Sequence, residues 1–178
     1  MKTNRKQVII MHGWADDPTK GWIAWLVKEL TNQGIAASAP FMRQSKNSQL
    51  DDWVALLRRE TSRLDAQTVV VGHSLGCAVV LGLLDEMKPT TTIAGLVLVA
   101  GAIGKRQFDL AKIRQMARER ICIVSDNDRI VPPKLTKAMA KQLDARVVVD
   151  PGHGHFLGLK SCDKLPSAKL AVLECFPP

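Results

Sequence analysis

Val69-Val70-Val71-Gly72-His73-Ser74-Leu75-Gly76 is the stretch that decides the fold. A short β-branched run leads straight into Gly-x-Ser-x-Gly, and Cys77 to Met87 reads as a helix. Strand, sharp turn and helix together are the setting a nucleophile elbow requires. Gly72 and Gly76 flank the serine because a Cβ at either place would collide with the neighbouring strand or helix. Ser74 is then expected in strained backbone space, with Oγ above the sheet edge. Unpaired N–H groups of the helix N-terminus lie beside it and suit a developing anion. A glycine-rich turn whose serine only caps the helix would fit the same five residues, so the rest of the chain must decide.

Outward from this stretch, apolar strands alternate with helices. Gln7 to Met11 is a short, wholly apolar strand, as in the buried middle of a parallel sheet. Trp22, Trp25, Leu26 and Leu30 recur at helical spacing, and Gly34 closes that helix. Ile35 to Ala39 reads as a strand stopped by Pro40. Leu50, Trp53, Val54, Leu57 and Leu64 mark a second amphipathic helix. After the Thr68 to Val71 strand and its helix come a strand at Ile93 to Ala100, weak helical character at Asp109 to Arg120, and a strand at Ile121 to Val124. Pro132-Pro133 opens a helix to about Leu143, Arg146 to Val149 is the last strand, and Ser167 to Cys175 is a closing helix. This is the pattern of a three-layer α/β fold: a parallel sheet of about six strands with helices on both faces, as one domain over residues 1–178. Gly101 to Arg120 is about one crossover long, since such a connection needs at least ~10–12 residues. A lid domain is therefore not expected. The pocket should be shallow and open, walled by the loops at Trp14 to Trp22, Phe41 to Asn47 and Ala102 to Phe108.

Composition narrows the function classes. The 178 residues suffice for one full core, and 25 Lys and Arg against 17 Asp and Glu give a formal net charge of +8. The closest basic clusters are Lys2 to Lys6, Arg58-Arg59 and Arg114 to Arg120. No zinc-finger spacing or aromatic-basic RNA motif accompanies them, so solvated surface is preferred over a specific nucleic-acid site. Cys77, Cys122, Cys162 and Cys175 form no Cys-x-x-Cys pair, and a reducing compartment, the cytoplasm, fits best. The apolar run Val8 to Met11 is too short for a signal-peptide core, and no run approaches membrane-spanning length.

Acyl transfer through serine needs a base for the hydroxyl proton, a carboxylate to orient that base, and N–H donors for the oxyanion. Four strand exits carry the required residue types: His12-Gly13-Trp14, the Ser74 turn, Ser125-Asp126-Asn127-Asp128, and Gly152-His153-Gly154-His155-Phe156. Open α/β sheets place their sites at such ends. The acid can be Asp128 or Asp126, and the base His155 or His153. His12 and His73 read as structural.

The motifs His12-Gly13-Trp14, Gly72 to Gly76, Ser125-x-Asn127-Asp128 with Val131-Pro132, and Gly154-His155-Phe156 resemble those of α/β-hydrolases. More narrowly, the chain is similar to the small lidless serine hydrolases related to retinoblastoma-binding protein nine and to bacterial YdeN-like proteins. The order Ser74, Asp128, His155 is that of the superfamily. The resemblance implies Ser74 as nucleophile, Asp128 rather than Asp126 as acid, and His155 rather than His153 as base. It implies backbone N–H groups of Trp14 and Leu75 as the oxyanion hole. His153 departs from the plain glycine approach of the family. The implied activity is hydrolysis of small esters, with amides or thioesters open to the same chemistry, with no cofactor and no metal. The rate would rise along one limb with an apparent pKa near ~6.5 to 7. The competing reading is a catalytically silent binding protein on the same fold. No protein partner is named by the sequence.

Overall fold

Alternate side chains of every central strand go to opposite sides of one sheet. The computed structural model describes residues 5–14, 16–43, 49–61, 64–158 and 162–176. Six strands are formed: β1 (Gln7–Met11), β2 (Ala36–Ser38), β3 (Thr68–His73), β4 (Ile93–Val99), β5 (Ala117–Val124) and β6 (Arg146–Val149). Among the described residues six helices join or follow them: α1 (Gly21–Asn32), α2 (Leu50–Glu60), α3 (Leu75–Glu86), α4 (Leu110–Met116), α5 (Pro133–Leu143) and α6 (Pro166–Glu174). The order across the sheet is β2-β1-β3-β4-β5-β6, and every pairing is parallel.

Period-two alternation divides the core into two halves. Val8, Ile10, Val69, Val71, Val97, Val99, Ile121 and Ile123 pack with Trp22, Leu26 and Leu30 of α1 and with Ala168 and Val172 of α6. Ile9, Met11, Val70, Leu96, Leu98 and Cys122 face Trp53 and Leu57 of α2, Val80 and Leu84 of α3, Ile113 of α4 and Met139 of α5. Each such aliphatic side chain contributes about 1.5–3 kcal/mol on burial. Both faces are covered, which is why the strands read as continuous apolar runs.

Two expectations are corrected. Helical character was expected to run through Arg120, but α4 ends at Met116 and β5 begins at Ala117. This first half of β5 pairs with β4, whereas β6 joins only from Ile121 onward. Charged residues are tolerated on the open side, and Arg120 has a definite task there. Its Nε donates to the carbonyl of Leu143 at 2.9 Å and its Nη1 to that of Ala117 at 2.7 Å. It thereby satisfies a carbonyl left over at the end of α5. One basic cluster of the sequence is thus structural in part. The second correction is that α2 stops at Glu60 rather than Leu64. Thr61 turns extended, and its hydroxyl donates to the Leu57 carbonyl at 2.6 Å.

Among the described residues no lid lies over the sheet: the link from β4 holds only α4 before β5 begins. Among the described residues no helix is long and apolar enough to cross a membrane.

Candidate active site

The chain runs from β1 outward to β2, then crosses back to β3 on the other side of β1. The gap between the carboxyl ends of β1 and β3 is therefore the topological switch point, where open α/β sheets place their ligands. Ser74 follows β3 at that gap with φ 52° and ψ −118°. Holding a residue other than glycine there costs on the order of 1–3 kcal/mol. The surroundings enforce it. The Ser74 amide donates to the Val99 carbonyl at 2.9 Å, and its own carbonyl accepts from Cys77 N–H at 3.0 Å. A Cβ on Gly76 would lie 2.2 Å from the Met11 carbonyl oxygen, and one on Gly72 would lie 2.7 Å from Cys77 Cα. Only glycine lets β1 and α3 approach the turn so closely.

The structure brings Ser74, His155 and Asp128 into one line. Ser74 Oγ is 2.8 Å from His155 Nε2, and His155 Nδ1 is 2.8 Å from Asp128 Oδ2. The histidine and aspartate side chains are 5% and 1% exposed, so the line is shielded from water except at its serine end. A carboxylate only accepts, so the imidazole proton sits on Nδ1 and Nε2 turns a lone pair to Ser74. The other oxygen of Asp128 accepts from the amides of Ile130 at 2.8 Å and Val131 at 2.9 Å. The carboxylate is thereby fixed in orientation.

Asp126 and His153 stand outside this line. Asp126 Oδ1 accepts from the Gly152 amide at 2.9 Å, Ser125 Oγ from the His153 amide at 3.0 Å, and Asn127 Oδ1 from the Gly154 amide at 2.7 Å. The exit of β5 thus tethers the loop that carries His155. His153 pairs with Asp150 at 3.1 Å and stacks on Phe156. Gly154 and Phe156 both have positive φ, 55° and 52°, so alternation along the chain does not tell which histidine ring turns inward.

Around the serine, His12 is buried and ties β1 to the next loop. The Met42 amide donates to its Nε2 at 2.8 Å, which leaves the ring proton on Nδ1, donated to the Gly13 carbonyl at 2.8 Å. A Cβ on Gly13 would lie 3.0 Å from Ser74 Cβ, so the β1 exit passes directly beside the nucleophile candidate. Trp14 comes next, exposed, its ring 5.5 Å from that of Trp53. Leu75 opens α3, so its amide has no acceptor within the helix. An open depression of about 370 Å³ is lined by Phe41, Arg43, Asp52, Trp53, Leu56 and Arg59. Part of the expected wall, residues 44–47, lies outside the described residues, as does Ala15.

Burial pushes His155 below the ordinary histidine value of 6.5, against the opposing pull of its hydrogen bond to Asp128. The sequence expectation of a limb near ~6.5 to 7 is thereby revised downward. Burial would raise Asp16, but its hydrogen bond to His73, the charge attraction of His73 and the Asp17 amide together hold the carboxyl low. All four cysteines are free and buried. Burial pushes the thiols of Cys122, Cys162 and Cys175 up to about 12, and Cys77 well above the ordinary value. Among the described residues no group of three His, Cys, Asp or Glu is placed to hold a metal ion.

The residues that sequence reasoning left unassigned are Asp16 and Trp22. His73 Nδ1 faces Asp16 Oδ2 at 3.2 Å, and Trp22 Nε1 donates to the Phe156 carbonyl at 3.0 Å. The only sequence signal for Trp22 was its place on the apolar face of α1.

A sheet of this order, with an elbow at the switch point and Ser, Asp and His at the exits of β3, β5 and β6, is an α/β-hydrolase fold. The sequence model of the serine hydrolase family matches residues 8–173, and the chain belongs to that family. It is 32% identical over 173 residues to the hydrolase YdeN of Bacillus subtilis (strain 168), covering 90% of this chain and 91% of that one. It is 25% identical to the serine hydrolase RBBP9 of Rattus norvegicus, covering 88% and 89%. The crystal structure of the B. subtilis ydeN gene product superposes with a TM-score of 0.90 at 31% identity, over 96% of this chain and 98% of that one.

Proposed function

We propose that this serine hydrolase cleaves small carboxylic esters through an acyl-enzyme on Ser74, with His155 as base and Asp128 as the carboxylate that orients it. The observation that carries the reading is the unbroken 2.8 Å and 2.8 Å line from Ser74 Oγ through His155 to Asp128. Ser74 Oγ attacks the ester carbonyl carbon while its proton passes to His155 Nε2. The amides of Trp14 and Leu75 receive the oxyanion. Collapse breaks the bond to the alkoxy oxygen, which leaves as the alcohol with the proton from His155. Water then attacks the acyl carbon, His155 takes its proton, and Ser74 recovers it as the acid departs. Amides and thioesters are open to the same steps. The four buried, free thiols support a reducing compartment, which we read as the cytoplasm.

Activity should rise with pH along a single limb whose midpoint lies below 6.5, the ordinary histidine value. The sign follows from the base. Below its pKa His155 is protonated and cannot accept from Ser74, so turnover is lost as pH falls through that value. A kcat/KM profile on a neutral ester, with the midpoint above 6.5, would contradict the buried environment of His155.

The open site also sets substrate size. Without a lid, added methylenes stay partly wet and gain well under the ~0.8 kcal/mol of full burial. Across p-nitrophenyl esters from acetate to palmitate, kcat/KM should be highest at the short end and fall with chain length. A maximum at the long-chain end would contradict the open site, and no turnover of any ester would contradict the proposed reaction.

A further inference from the structure

His73 ends β3 next to Ser74, and its ring is buried. The side chain is 1% exposed and that of its partner Asp16 is 12% exposed. Nε2 lies 2.9 Å from the main-chain carbonyl oxygen of His155, and Nδ1 lies 3.2 Å from Asp16 Oδ2. A carbonyl only accepts, so Nε2 carries a proton and donates it there. Asp16 and His73 thus form a second carboxylate–imidazole pair behind the first, aimed at the backbone of the base. The two imidazole rings are 5.3 Å apart, and Trp22 sets its ring edge-on against His73 at 5.6 Å.

The backbone of His155 needs such support. It sits between Gly154 and Phe156, both at positive φ, and one of these is not glycine. The loop therefore does not hold this shape by local preference. The carbonyls of His155 and Phe156 are instead held from residues 82 and 134 positions away in the chain.

We propose that His73 and Asp16 are positioning residues for the general base. The Nε2–H bond to the His155 carbonyl sets where the His155 ring stands relative to Ser74 Oγ, and Asp16, facing Nδ1 at 3.2 Å, holds the His73 ring in the orientation that makes that bond. The inference rests on the proposed role of His155. A misplacement of about 1 Å at a reacting group costs on the order of 100-fold in rate.

Two substitutions of His73 separate positioning from packing. Both remove the buried ring and keep an amide. His73→Gln sets an N–H at the place of Nε2, within reach of the His155 carbonyl. His73→Asn reaches only the place of Nδ1 and leaves that carbonyl without its donor. The expected result on p-nitrophenyl acetate is that His73→Gln keeps kcat within about fivefold of the parent, while His73→Asn loses about 10–100-fold. KM should change less than about threefold in both, and thermal melting should fall alike in both. Asp16 gives an independent arm. Asp16→Asn can donate to Nδ1 and so keeps the proton on Nε2, and its kcat should follow His73→Gln. Asp16→Ala removes the partner that orients the His73 ring at Nδ1, and its kcat should follow His73→Asn. Equal kcat in the two His73 variants, with Ser74→Ala inactive, overturns the positioning role alone. An active Ser74→Ala overturns the assignment of the base as well, and with it this inference.

Discussion

Replacing Ser74 with alanine is expected to lower turnover of p-nitrophenyl acetate by about 10⁴-fold or more, leaving only what the oxyanion donors and binding supply. The hydroxyl is the only group removed, and the Cβ that suffers the φ of 52° is kept. The variant therefore keeps the strained turn, its 2.9 Å bond from the residue 74 amide to Val99, and the two glycine contacts that shape it. Stability should change by less than about 1 kcal/mol. Turnover near the parent rate, in a variant that melts like the parent, would show that Ser74 is not the nucleophile.

The second large effect is expected at Asp128. Its two oxygens have different partners, and that difference decides what asparagine would do. Oδ1 accepts two backbone N–H groups, from Ile130 and Val131, while Oδ2 faces His155 Nδ1. In Asp128→Asn the amide oxygen stays with the two donors, because an NH₂ group there would face them. The NH₂ group is then turned to His155 and donates to Nδ1. The imidazole proton moves to Nε2, and the lone pair that should receive the Ser74 proton is gone. The expected loss in kcat is about 10³–10⁴-fold, of the size seen when a triad histidine is held in the wrong tautomer. Asp126→Asn is the control. Its oxygen can still accept from the Gly152 amide, so its kcat should stay within a few-fold of the parent. Comparable losses in both variants would show that neither carboxylate orients the base.

What the sequence made legible follows from how local each feature is. Most of the β3 strand, the elbow and the start of α3 are written in eight consecutive residues, and both glycines carry a steric reason that the structure bears out at Met11 and Cys77. The first half of β5 was not legible. Arg118, Glu119 and Arg120 are charged, and only the absence of β6 beside them, with the carbonyls of Leu143 and Ala117 within reach of Arg120, makes a strand possible there. The residue types of the site were legible at the strand exits, but neighbours two positions apart were not told apart by pattern alone. Asp126 and Asp128 both leave β5, and the turn sends one to a backbone amide and the other to an imidazole. His153 and His155 lie in a loop with positive φ on either side of the second, where no periodicity applies. Asp16 and Trp22 could not be read at all, because their partners lie 57 and 134 residues away.

Covalent labelling shows whether one activated serine carries the proposed reaction. The protein is treated with a fluorophosphonate, its intact mass is measured, and the adduct is located by peptide sequencing. The four cysteines are buried with raised pKa values, so no thiolate competes for the reagent. One adduct per chain is expected, on Ser74, absent from Ser74→Ala and slowed in His155→Ala by about the factor lost in turnover. An unlabelled chain, or an adduct on any other residue, would contradict it.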